Sequence, residues 1–407
     1  MLIINKIKSA LSVGILVQIT LLAFHIWITP LMSIEDRADF AMVNAVAITV
    51  VFLSGFGFQT SLIRKFSLQR ISKKFLRKTF FYSLFHLAIC ISISTLILAF
   101  YGLKQVYFLL VHAVIFLLIA KIYLQSAFLG SGKNAQFQTS KVLPVATLLF
   151  AVVIASLRGP ISLEVLMSFW IASEFMALLF LVSRASLITS DLKLLKTSDP
   201  FYEDFVFGAK AMAGNNSFIE VYKIDQIILG FFASPLALAV FAVAKSICSS
   251  MRFISQSLSQ ILLPILLKEQ SDLVRLKILL QFISVGSACS ILAGSFMVAV
   301  ADLYLVDIVG PKYRAANSLL LGMAISYVFF LPRRLIYEFW KASNRPLATS
   351  AYEVLTLIIL LISAMALSQT TLSIQWVFIY SSCLANIFMF FVAGASLIRN
   401  FTEAGCR

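Results

Sequence analysis

Twelve long apolar runs, separated by short polar loops, limit what this chain can fold into. They lie near 10–31, 40–60, 79–101, 106–129, 142–157, 162–184, 205–232, 236–266, 276–300, 316–339, 347–367 and 374–397. A helix needs about 20 apolar residues to cross the hydrocarbon core of a bilayer. Inside that core every backbone N–H and C=O must find its partner within the protein, which selects helices or a closed barrel. The runs are continuous, unlike the roughly ten-residue alternating segments of a barrel. The expected fold class is therefore an all-α integral membrane protein with about 12 transmembrane helices. Composition agrees: 60% of residues are hydrophobic and 13% charged, against about 45–50% and about 25% in soluble domains. The first run follows Lys6 and Lys8 and has no small-x-small cleavage site, so it reads as a retained helix.

Loop charge sets the orientation. One set of loops carries Lys6 and Lys8; Arg64, Lys65, Arg70, Lys73, Lys74, Arg77 and Lys78; Lys133 and Lys141; Arg184, Lys193 and Lys196; Lys268, Arg275 and Lys277; Arg333, Arg334, Lys341 and Arg345; and Arg399 and Arg407. The opposite set has only Arg37, Lys104, Arg158, Lys312 and Arg314. A bias of about four to one over an even number of spans puts both termini in the cytoplasm. The same distribution argues against nucleic acid as the partner behind the formal charge of +15, because the cations sit in short loops between spans.

The most polar internal stretch follows the sixth span and includes Thr189, Ser190, Asp191, Lys193, Lys196, Ser198, Asp199 and Pro200. It divides the chain into an N-terminal six-helix lobe (1–187), a cytoplasmic linker (188–204) and a C-terminal six-helix lobe (205–407). A faint repeat supports the division. Asp39-Phe40-Ala41-Met42-Val43-Asn44-Ala45 and Val240-Phe241-Ala242-Val243-Ala244-Lys245-Ser246 stand 201 residues apart, at the openings of the second and eighth spans. Parallel repeats of this kind recur in transporters. The longest loops hold about twenty residues, no phosphate-binding G-x-x-x-x-G-K-[ST] fingerprint occurs, and no cofactor is expected.

An ionisable residue inside a span is costly and marks a wet or functional interior. Lys245, Ser249, Arg252, Gln256 and Ser259 recur at three- and four-residue spacing, which on a helix makes one stripe. Two readings stand. The stripe can line a cavity for an anionic group such as phosphate. Alternatively, Arg252 snorkels to the interface and Lys245 pairs with an acid on the seventh span. On that seventh span, Lys210, Gly214, Ser217 and Asp225 share one face, and Asn216, Glu220 and Lys223 share another, with Asn215 beside them. Glu220 and Lys223, three apart, can pair on a helix surface. Asp225 is nine residues, roughly 14 Å, from the span end near Ser234. It can couple a proton or sodium ion, with Glu220 as a second candidate, or serve as a structural partner of Lys223 or Lys245.

The first half carries fewer intramembrane charges, Lys121 and Glu174. Its second span holds Asn44, Gly55, Gly57, Gln59, Thr60, Ser61 and Arg64, and the glycines read as sites of close helix packing. His25, His86 and His112 are scattered singly, as packed or interfacial residues rather than a metal set. Cys90, Cys248, Cys289, Cys383 and Cys406 have no paired spacing and read as packing residues. No nucleophile arrangement, acid pair or metal spacing suggests an enzyme. Glu338 and Glu353 flank a cytoplasmic loop and offset its arginines.

The stretch Lys223-Ile224-Asp225-Gln226-Ile227-Ile228-Leu229-Gly230-Phe231-Phe232-Ala233-Ser234-Pro235, followed by Val240-Phe241-Ala242-Val243-Ala244, resembles the seventh-to-eighth helix signature of bacterial polysaccharide flippases. Leu262-Leu263-Pro264 fits the proline that ends their eighth helix. Asp307-Ile308-Val309-Gly310-Pro311-Lys312-Tyr313 resembles their Gly-x-x-Tyr loop, and Gly55 to Arg64 resembles the end of their second helix. The opening Met32-Ser33-Ile34-Glu35-Asp36-Arg37 departs from the family pattern, as does Asp39 where glycine is common.

The resemblance implies an O-antigen-type flippase of the multidrug/oligosaccharidyl-lipid/polysaccharide exporter superfamily, with two six-helix lobes around a central cavity. The implied cargo is an undecaprenyl-diphosphate-linked oligosaccharide moved from the cytoplasmic to the periplasmic leaflet of the bacterial inner membrane. Lys245, Arg252, Lys210, Lys223 and Arg64 would meet the anionic headgroup. Asn215, Asn216, Ser249, Gln256 and Asn44 would line the polar path. Implied partners are membrane lipid, a polysaccharide polymerase, a chain-length regulator and a proton or sodium coupling ion. A drug or small-molecule antiporter of the same superfamily and a membrane-embedded polymerase are the competing readings. A cationic-drug exporter calls for an acidic cavity, and a polymerase for a large periplasmic loop; neither is evident.

Overall fold

A computed structural model describes residues 2–67, 72–189, 201–215, 223–269, 271–343 and 345–405, and the statements below concern these residues. They form helices α1 (Leu2–Leu31), α2 (Ile34–Ser54), α3 (Phe58–Ser67), α4 (Lys73–Tyr101), α5 (Val106–Gly130), α6 (Asn134–Ser156), α7 (Leu163–Ser183), α8 (Ser186–Thr189) and α9 (Phe201–Asn215). There follow α10 (Ile224–Phe232), α11 (Pro235–Cys248), α12 (Arg252–Lys268), α13 (Asp272–Ala299), α14 (Ala301–Tyr304), α15 (Ala315–Ala342), α16 (Pro346–Leu367) and α17 (Ile374–Gly405). Among the described residues there is no strand. Nine helical stretches are long and apolar enough to cross a membrane, with Ile19–Leu31 and Pro235–Cys248 as shorter apolar helices. The chain has an all-α membrane fold.

The apolar runs that fall on described residues are mainly helical, the second being broken at 55–57, and the ends move for local reasons. The second helix starts at Ile34 rather than 40, because the Ser33 side chain caps it by accepting the Asp36 N–H at 3.0 Å. Glu35 and Asp36 then suit its positive N-terminal end. The fifth span is not short: α6 extends back to Asn134 through polar residues. The seventh span is α9 and α10, with 216–222 outside the described residues. The eighth is not one helix either. After α11 a single 3₁₀ turn, Ser249–Met251, intervenes before α12.

The repeat noted in the sequence extends to helix geometry. α2 begins at Ile34 and α11 at Pro235, the same 201 positions apart. Each is capped by a serine whose side chain accepts the N–H three residues on, Ser33 from Asp36 and Ser234 from Ala237. Both helices are then interrupted before a shorter continuation, α3 and α12.

Packing divides the chain into two compact units. One comprises Ile19–Met212 and Val221–Phe231; the other comprises Met1–Gln18, Ala213–Glu220 and Phe232–Arg407. In the first unit α2 is the central helix, with 72% of its apolar window buried, against 22% for α4. Phe58, Leu62, Phe66, Phe75, Phe128 and Leu181 form a core around its continuation α3. In the second, α15 is central, with 61% buried against 17% for α13 and α16. Its core joins Leu262 and Leu266 of α12 to Leu331, Leu335, Phe339 and Trp340 of α15. The outer helices leave large apolar side chains uncovered, among them Phe80, Phe81 and Phe85 on α4 and Leu292 and Phe296 on α13. That is the arrangement hydrocarbon rather than water requires.

Candidate functional site: polar residues within the spans

In the second unit, Lys245 occupies the last turn of α11 and is buried, while Arg252 opens α12 and is half-buried. The 3₁₀ turn between them modifies the expected single stripe. A 3₁₀ residue turns about 120° against about 100° in an α-helix, so three of them swing Arg252 about 60° relative to Lys245. Ser249 lies in this turn and donates its hydroxyl to the Ser246 carbonyl at 2.7 Å. Ser259 donates at 2.6 Å to Glu338 of α15. The side chain of Gln256 lies outside the described residues.

Lys210, Lys223, Asp225, Asn44 and Arg64 all fall within the first unit. Lys210 is exposed on α9 and Asn44 is half-buried on α2. Arg64 lies on α3, with its side chain outside the described residues. Lys223 lies just before α10 with φ +47°. Glu220 and Asn216 lie outside the described residues, as does the side chain of Asn215. Asp225 is buried in the first turn of α10, where its Oδ1 accepts the Gln226 N–H at 2.9 Å. A carboxylate there is favoured by the helix dipole.

Sequence reasoning took Arg37 for a loop cation. It sits instead in the first turn of α2, 1% exposed, because the Ser33 cap carries the helix back past it. Its Nε donates to Thr29 Oγ1 and its Nη2 donates to His25 Nδ1, both at 3.4 Å, and it lies over the Phe40 ring. Lys121 and Glu174, recognised only as isolated charges in the sequence, form a buried ion pair between α5 and α7, and Trp170 Nε1 also donates to Glu174 at 3.3 Å.

In the sequence Arg333 counts among the loop cations, and Glu353 flanks that loop and offsets its arginines. Both lie inside helices, 0% and 1% exposed, and pair at 3.2 Å while Arg333 Nη1 donates to Thr356 at 2.9 Å. Glu338 offsets Arg334 at 3.7 Å and Lys341 at 3.0 Å. Removing Arg37 and Arg333 from the loop counts takes one cation from each side and leaves the charge bias in the same direction.

A family model described as polysaccharide biosynthesis protein matches residues 31–318, which covers both broken helices and the buried charges of α2, α5, α7 and α10. The chain belongs to this family. No match is found among curated proteins. Solved structures of MATE transporters share the fold of this family member. One is described as an inward-facing multidrug resistance MATE family transporter of the MOP superfamily. It is 13% identical, with a TM-score of 0.68, over 94% of this chain and 95% of that one. Another is the eukaryotic MATE transporter AtDTX14, 13% identical with a TM-score of 0.66 over 97% and 96%. At such identity the likeness concerns the fold. The family description is one of polysaccharide biosynthesis, and the fold is one that MATE transporters share.

Proposed function

We propose that this protein is a flippase for an undecaprenyl-diphosphate-linked oligosaccharide, the repeat unit of O antigen or a related surface polysaccharide. It works in the bacterial inner membrane with both termini cytoplasmic and moves its cargo from the cytoplasmic to the periplasmic leaflet. The observation that carries the reading is the conjunction of a polysaccharide-biosynthesis sequence with a transporter fold whose spans hold cations. An exporter devoted to polysaccharide assembly needs a cargo with a sugar part and a membrane anchor, and a diphosphate link is the group that intramembrane cations suit.

In this reading the protein works by alternating access. Lys245, Arg252, Lys210, Lys223 and Arg64 receive the diphosphate, an anion that lysine and arginine suit. Asn44, Asn215, Asn216, Ser249 and Gln256 hydrogen-bond the sugar, while the lipid tail stays in the bilayer. Asp225, with Glu220, takes up a proton or sodium ion. A polymerase and a chain-length regulator receive the cargo on the periplasmic side.

Deleting the gene in its native host tests the reading. The expected result is loss of surface polysaccharide with the lipid-linked unit accumulating on the cytoplasmic leaflet. Normal surface polysaccharide would refute it. The MATE likeness favours one competing reading, a cation-drug antiporter, which predicts instead a heightened sensitivity to cationic dyes with polysaccharide intact.

A further inference from the structure

α2 stops within an apolar sequence, at Ser54, and helix resumes at Phe58. Between them Phe56 has φ +41° and Gly57 φ +67°. A left-handed backbone is unfavourable for phenylalanine, so the surroundings must hold it. The break also changes which backbone groups need partners. The Gly55 and Phe56 N–H groups both turn to the Leu53 carbonyl. The Val51 carbonyl accepts from His86 Nε2 at 3.0 Å. The Gly55 carbonyl accepts the Phe58 N–H at 2.8 Å and the Tyr82 hydroxyl at 3.0 Å. Cys90 Sγ lies 2.9 Å from Ser54 Oγ.

Tyr82, His86 and Cys90 are spaced by four on α4, so they form one stripe laid along the end of α2. A carbonyl can only accept, so His86 Nε2 carries the hydrogen, and in the neutral ring Nδ1 accepts from Tyr123 on α5 at 2.8 Å. On another side of the break the chain meets α9. A Cβ on Gly57 would run into the Gly208 carbonyl of α9, and one on Gly208 would meet Ser61 Oγ at 2.6 Å and the Gly57 carbonyl at 2.8 Å. Two backbones meet there at close approach.

We propose that Gly55–Phe56–Gly57 is a hinge for α3, and that Tyr82 and His86 are its latch. Side-chain donors on α4 hold the Val51 and Gly55 carbonyls in the arrangement described here. Letting them go frees α3 to swing, with the paired glycines 57 and 208 as the sliding contact. α3 carries Arg64 and Lys65, so the swing moves cations at the end of the central helix of its unit. This inference concerns the motion of the fold and does not depend on what is transported.

Hydrogen–deuterium exchange of the full chain in lipid nanodiscs tests it, following peptides over 52–67 and, as reference, 106–130. Tyr82→Phe and His86→Phe each remove a donor at similar bulk. Losing a hydrogen bond worth about 1 kcal/mol raises exchange about fivefold, so each variant should exchange about fivefold faster over 52–67 with the reference unchanged. His86→Gln, whose amide can still donate to the Val51 carbonyl, should restore at least half of the protection. Unchanged exchange over 52–67 would mean a rigid break and overturn the proposal. So would a rise shared equally by 106–130, or no rescue by glutamine. If the His86 variants fail to assemble, Tyr82→Phe, which removes a single oxygen, decides the matter alone.

Discussion

Arg333 and Glu353 offer a quantitative test of how this fold keeps charge inside a membrane. The guanidinium is 0% exposed and the carboxylate 1%, and they are 3.2 Å apart. Arg333 also donates to Thr356 at 2.9 Å and lies 5.2 Å and 5.7 Å from the Phe330 and Tyr337 ring centroids. Removing one partner of such a pair leaves an uncompensated buried charge, at about 3–5 kcal/mol. That is a factor of roughly 10² to 10⁴ in the folded-to-unfolded ratio. The two single variants should differ in a specific way.

In Glu353→Leu the guanidinium cannot lose its proton, and the two rings recover only about 0.5–2 kcal/mol each. In Arg333→Met a lone carboxylate can take up a proton. Its penalty at pH 7 is therefore capped near 3.7 kcal/mol, the cost of protonating an ordinary glutamate. The double variant removes both charges and should lie within about 1 kcal/mol of the parent. Reversible unfolding in mixed micelles with added SDS, read by tryptophan fluorescence, measures all four proteins. The expected coupling is about 3 kcal/mol or more, and the Arg333→Met penalty should shrink from pH 7 to pH 5 while that of Glu353→Leu does not. Additive single variants, or a pH-independent Arg333→Met, would refute the reasoning.

Other consequences are open to direct measurement. Replacing both Lys245 and Arg252 by alanine should lower surface polysaccharide several-fold while the protein still inserts; full export in the double variant would remove them from the anion path. Reporter fusions at Lys74 and Lys193 should score cytoplasmic and one at Lys312 periplasmic, and any reversed score would break the topology. Asp225→Asn should slow transport and flatten its dependence on pH or sodium; an unchanged ion dependence would leave the carboxylate as the start of α10 and nothing more.

The positions of the helices were legible because length and apolarity are what a bilayer demands, and a run of about twenty apolar residues has few alternatives. Where the helices break was far less legible. Hydropathy continues through Phe56 and Phe58, so only the two glycines hint at the end of α2. The 3₁₀ turn Ser249–Met251 contains neither glycine nor proline, and nothing in its sequence interrupts the expected stripe. Buried charges were misplaced for a different reason. Arg37 stands beside two acids and reads as a loop until the Ser33 cap is seen to extend the helix. Arg333 pairs with Glu353, twenty positions away on the next helix; the charge offset reads from the sequence, but which acid meets which arginine does not, because periodicity within one helix cannot pair residues on two. The polar stripe of α4 shows the same limit, since Tyr82, His86 and Cys90 acquire meaning only against the exposed carbonyls of α2.

Reconstitution bears most directly on the central claim. Purified protein in liposomes would receive a fluorescent diphosphate-linked polyprenyl oligosaccharide in one leaflet, and its appearance in the other would be followed by a membrane-impermeant quencher. The account predicts translocation that is lost in the Lys245→Ala/Arg252→Ala protein and absent for a cationic dye offered in its place. Dye transport without movement of the lipid-linked sugar would contradict it.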